Sequence, residues 1–83
     1  MKTHDLKFIH EGEVDFVQIT TPDEVYLDEV ISTIETTEKW YRDELDKDGV
    51  ADVFSVDNLL QEIMCRTKWE YRYLDIDAII DLV

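Results

Sequence analysis

The chain has 83 residues, with 21 Asp and Glu against 8 Lys and Arg and a formal net charge of −13. That charge argues against direct binding to nucleic acid, whose phosphates are gripped through Lys and Arg, and against anionic membrane surfaces. Length bounds the chain to one domain, residues 1–83, and its 26 Leu, Ile, Val and Phe exceed the roughly 20% at which a highly charged chain stays disordered.

Leu6 to His10 and Glu13 to Thr20 read as two strands around Glu11-Gly12. Gly12 supplies positive φ at the second turn position. Val14, Phe16, Val17 and Ile19 suit a pleated surface. Thr21-Pro22-Asp23-Glu24 then reads as a helix start. Thr21 would cap, Pro22 would sit at the first helical position, and Glu24 would reach back to the cap amide. The helix is expected to reach about Leu45, with Leu27, Val30, Ile31, Ile34, Tyr41 and Leu45 as its buried stripe. Glu35–Lys39 and Glu38–Arg42 are acid-first pairs four residues apart, the favourable order.

Asp46-Lys47-Asp48-Gly49 ends this helix, with Gly49 in a left-handed conformation. Ser55 is the expected cap of a second helix, Val56 to about Arg66, with Leu59, Leu60, Ile63 and Met64 facing the core. From Lys68 to Leu74, Trp69, Tyr71 and Tyr73 alternate with Glu70 and Arg72, which predicts a third strand with its aromatic side on the core. Ile76, Ile79, Ile80 and Val83 return to helical spacing and predict a short C-terminal helix capped by Asp75, with a continued strand as the alternative. The expected fold is α+β: a small antiparallel sheet of hairpin plus third strand, with three helices, in the order β-β-α-α-β-α.

Reactive chemistry is sparse. There is no apolar run near the roughly 18 residues of a membrane span and no apolar leader-like segment at the N-terminus. Cys65 is the single cysteine, which fits a reducing, cytoplasmic setting and a core position in a helix. His4 and His10 read as surface residues, and one Cys with two distant His makes no zinc site. Glu44, Asp46, Asp48 and Asp52 fall at positions one, three, five and nine of an EF-hand-like loop with Gly49 at six, yet Ser55 stands where the bidentate Glu belongs. No phosphate loop, nucleophile elbow or Ser/Cys–His arrangement is present. The expectation is a non-enzyme without metal or cofactor.

The acids carry the functional signal. Phe8 to Glu38 contains nine acids and no Lys or Arg. On the first helix, expected from Pro22, Glu24, Asp28 and Glu35 fall within about 40° of one another. Glu24 and Asp28 would then stand about 6 Å apart, close to the phosphate spacing of a nucleic-acid strand. Trp40 lies off the apolar stripe, either as an interface anchor or packed under the Asp46–Phe54 loop. Asp23, Glu24, Asp28, Glu35, Glu38 and Trp40 are therefore the expected partner-binding residues, and the expected partner is a basic protein surface, one that ordinarily holds nucleic acid. In size and charge the chain resembles the small DNA-mimic inhibitors of bacteriophages, a similarity of character rather than of motif. The alternatives are an acidic adaptor, an antitoxin- or immunity-type subunit, and a degenerate calcium module.

Overall fold

A computed structural model describes residues 1–74 of the chain. The order is β1 (Lys2–His10), β2 (Glu13–Thr21), α1 (Leu27–Lys47), a 3-10 turn (Ala51–Val53), α2 (Val56–Thr67) and β3 (Glu70–Tyr73). The three strands form one antiparallel sheet with β2 in the centre. This is the expected α+β arrangement; the C-terminal helix expected from Asp75 onward lies outside the described residues.

The hairpin turns at Glu11-Gly12, where both residues have positive φ, +50° and +81°. Two left-handed residues match the right-handed twist of the flanking strands. His10 pairs with Glu13, and the register runs one-to-one back to Lys2 opposite Thr21. The first strand is thus longer than the pattern from Leu6 suggests. His4 is the reason: it follows the alternation of Leu6 and Phe8 onto the covered face of the sheet and is buried there, not exposed.

The first helix starts later than Thr21-Pro22 predicts. Thr21 does not cap α1; it ends β2 and is fully buried. Its hydroxyl donates to the Pro22 carbonyl at 3.1 Å and stands 3.0 Å from His4 Nε2. With its single proton spent on Pro22, Thr21 Oγ1 accepts from His4 Nε2–H. The Val25 amide also donates to the Pro22 carbonyl at 3.1 Å, which folds the chain back and buries Val25. Only then does α1 begin, after Tyr26 in an extended conformation and without a side-chain cap. Burial of Thr21 and Val25 outweighs a capping box worth about 1 kcal/mol.

α1 spans 21 residues, about 31 Å at 1.5 Å per residue. Val30, Ile34 and Thr37 are buried, with Tyr41 and Leu45 packed against the core. Leu27 and Ile31 are exposed instead, because the buried line is centred nearer Thr37. α1 ends in a Schellman motif: the Gly49 amide bonds to Asp46 O at 3.1 Å and the Val50 amide to Leu45 O at 2.9 Å. Gly49 adopts the expected left-handed φ of +73°. Ser55 caps α2 as expected, accepting from the Asn58 amide at 3.1 Å.

Val56, Leu59, Leu60 and Ile63 of α2 close over Val17 and Ile19 of β2. Met64 only borders this core, and Cys65 is exposed rather than packed in it. On β3, Tyr71 and Tyr73 pair with Ile19 and Val17 and share their face, while Arg72 pairs with Gln18 on the other. Trp69 and Tyr71 pack against the core and Tyr73 stays largely exposed. The uncovered sheet face carries a polar chain: Arg72 Nε donates to Gln18 Oε1, and Gln18 Nε2 donates to Asp5 Oδ1, each at 3.0 Å.

Candidate protein-binding surface

The expected binding residues divide between two elements. Glu24 lies in the turn before α1, so the 6 Å Glu24–Asp28 spacing of a continuous helix is not formed. Asp23 is in the same turn and pairs with the N-terminal amine at 2.9 Å, which holds its carboxyl below the usual range. Asp28, Glu35 and Glu38 are on α1. Asp28, Glu35 and Asp46 fall within about 20° of one line along its outer surface, with Lys39 and Arg42 between them. The carboxylate line is therefore interrupted.

Arg42 is engaged locally. It pairs with Glu38 at 3.1 Å, and its guanidinium lies 3.9 Å from the Phe54 ring centre. Arg66 pairs with Glu62 at 3.2 Å and stacks 4.2 Å from the ring centre of Trp40. Trp40 thus leans toward α2 and remains 41% exposed. The position under the loop goes to Tyr41, whose ring sits 5.5 Å from that of Phe54. Glu35 and Lys39 form no ion pair among the described residues.

Two concavities adjoin on the helix-covered side. The first is a groove of about 340 Å³ between β1 and α1, with Leu6, Phe8, Ile31, Ile34 and Phe54 on its walls and Glu35 and Glu38 on its rim. The second, of about 330 Å³, sits at the hairpin end and shares His10, Phe54 and Val56 with the first. Glu11, Glu13, Asp15 and Asp57 surround it. His10 is half-buried here, its ring 4.8 Å from Phe54, so it is not the plain surface residue expected.

Asp57 organises the second basin. Its Oδ1 accepts from the hydroxyls of Tyr71 and Tyr73, each at 3.1 Å, and its Oδ2 accepts from Gln61 Nε2 at 2.7 Å. Burial, and then the Asp57 carboxylate, push both phenols above the ordinary tyrosine range. None of these residues is among the expected partner-binding ones, although the sequence holds a signal for them. Period two places Glu13 and Asp15 on the same face as Val17 and Ile19, where the core has run out.

The calcium-loop alignment meets a different backbone. Glu44 and Asp46 belong to the last turns of α1, and Ser55 is the α2 cap. Among the described residues, no group of three or more His, Cys, Asp or Glu is placed to hold a metal ion, and no helix is long and apolar enough to cross a membrane.

Residues 1–74 contain 18 acids, of which four pair with a Lys, an Arg or the N-terminal amine, namely Asp23, Glu38, Glu44 and Glu62, while Glu11 stands 3.9 Å from His10 Nε2. The remaining carboxylates have no ion-pair partner among the described residues; they are spread over the hairpin end, the turn before α1, its outer face and the loop after it, with Asp5 and Glu70 on the open sheet face. No family model matches this chain, and no curated protein or solved structure matches it.

Proposed function

We propose that this chain is a non-catalytic acidic inhibitor that works in the cytoplasm. It occupies the basic, nucleic-acid-binding surface of a DNA-handling or defence protein, in the manner of the phage DNA mimics. One observation carries this reading. Most of the carboxylates of residues 1–74 stand without an ion-pair partner, while Arg42, Lys47 and Arg66 are each tied to an acid on their own helix. The field projected outward is negative, and such a field steers a basic partner toward the chain and speeds encounter.

Affinity capture from a host lysate, eluted with salt, identifies the partner. The test follows on that purified partner with its nucleic acid bound. The chain displaces the nucleic acid stoichiometrically, and its dissociation constant rises steeply between about 50 and about 500 mM salt. A salt-independent constant, or nucleic acid that stays bound, overturns the reading.

A second reading, an acidic adaptor or an antitoxin- or immunity-type subunit, is favoured by the interruption of the α1 line at Lys39 and Arg42. Exposed Ile9 and Val14, paired across β1 and β2 on the open face, also favour it. The same assay separates the two, since an adaptor binds while leaving the partner's nucleic acid in place.

A further inference from the structure

We propose that the outer edge of β1, with the groove beside it, receives an extended segment of the basic partner as an added strand. That segment carries apolar side chains at alternate positions and Lys or Arg at its flanks. The inference rests on the reading above for the charge of the partner, and on the fold for its shape.

β1 is an edge strand in the order β1-β2-β3. Its nine residues pair one-to-one with β2, without a bulge or a proline. At about 3.3 Å per residue this is an edge of about 30 Å, and no described residue pairs with its outer side. Proteins usually blunt such an edge with bulges, prolines or charges. Here the charged residues are Lys2, Asp5 and Lys7; Lys2 is drawn aside, its Nζ 4.1 Å from the Tyr26 ring centre, and Asp5 accepts from Gln18 on the open face. Strand addition takes affinity from the ladder and specificity from pockets for alternate side chains.

The groove supplies those pockets. Leu6 and Phe8 point from β1 toward the helices and are only half-buried, because α1 does not close over them. Ile31, facing them from α1, is 40% exposed. Alternate side chains of an added strand would descend between Ile31 and the β1 edge. Charge then defines the flanks: Glu35 rims the groove without an ion-pair partner among the described residues, Glu38 beside it is paired with Arg42, and Glu11, Glu13, Asp15 and Asp57 stand where the groove meets the hairpin end. A second copy of this chain fits the edge poorly, since each copy brings a net charge of −13.

The full chain is titrated with a synthetic peptide of alternating Val and Thr flanked by Lys-Arg pairs. A control peptide of the same composition has its valines in one block. The alternating peptide binds about tenfold tighter, and alternate amides of β1 gain protection from hydrogen exchange. Ile31→Lys weakens it about tenfold, and Glu35→Lys weakens it several-fold more than Glu70→Lys on the open sheet face. Ile31 and Glu35 are exposed, and circular dichroism checks that both variants fold. Equal binding of the two peptides, or equal effects of Glu35→Lys and Glu70→Lys, overturns the groove while leaving the reading of an acidic inhibitor intact. Protection of β1 that rises with protein concentration and needs no peptide also overturns it, in favour of self-pairing. Peptide binding as stated, with a partner that keeps its nucleic acid, sinks the inhibitor reading and leaves the groove.

Discussion

Two polar knots, one buried and one at the surface, fix individual side chains. His4 and Thr21 lie 17 positions apart in sequence and face one another at the start of β1 and the end of β2. Thr21→Val keeps the shape and removes the acceptor, which leaves a ring nitrogen buried without a partner. Stability should fall by about 1–3 kcal/mol, measured by urea unfolding; an unchanged midpoint would mean that water replaces the hydroxyl. The second knot is Asp57 under Tyr71 and Tyr73. Burial and the carboxylate raise both phenols in the folded state. The stabilisation this brings is fully present below the unfolded tyrosine value near 10 and is lost as pH rises through the raised folded values. Alkaline difference spectroscopy should show Tyr71 and Tyr73 ionising late, and Asp57→Asn should bring both down. The His4–Thr21 knot was not legible beforehand, because a threonine before a proline signals a helix cap until the strand opposite it is known.

At the scale of elements, local chemistry decided most boundaries. Gly12, Gly49 and Ser55 act through their own backbone and near neighbours, and each is found where its residue type predicts, whereas Glu11 takes a left-handed φ that its residue type disfavours. Gly49→Ala meets no heavy atom within 4 Å, so its effect is that of the left-handed backbone alone, roughly 1–2 kcal/mol. Ser55→Ala should lower stability by about 1 kcal/mol. Thermal melts of both variants check these values, and a Gly49→Ala loss well above that range would point to a contact the geometry lacks. α1 shows where local reasoning fails. Its end followed from Gly49, but its start moved from Pro22 to Leu27 because Thr21 and Val25 were drawn into the core. That shift removed Glu24 from the helix and with it the phosphate-like carboxylate pair.

For the whole molecule, unpaired carboxylates set the balance. Like charges on a compact body repel and weaken the fold, and salt shortens their reach from about 30 Å at 0.01 M to about 8 Å at 0.15 M. The unfolding temperature should therefore rise between those salt concentrations. A flat response in scanning calorimetry would mean that the acids lie too far apart to matter. The same screening should weaken association with a basic partner, so salt is expected to move stability and binding in opposite directions.

By itself the sequence determined the α+β class, the hairpin, the two helices, the third strand and the negative field, because hydrophobic period, turn chemistry and net charge are local or additive quantities. Tertiary structure alone decided the burial of His4, the true start of α1, the exposure of Cys65 and Ile31, and the meeting of groove and acidic basin at Phe54. Each of these depends on which distant segment arrives opposite a residue. In so small a domain, two helices cover one sheet face incompletely, and where they stop short they leave an edge and a trough that no spacing of residues along the chain reveals.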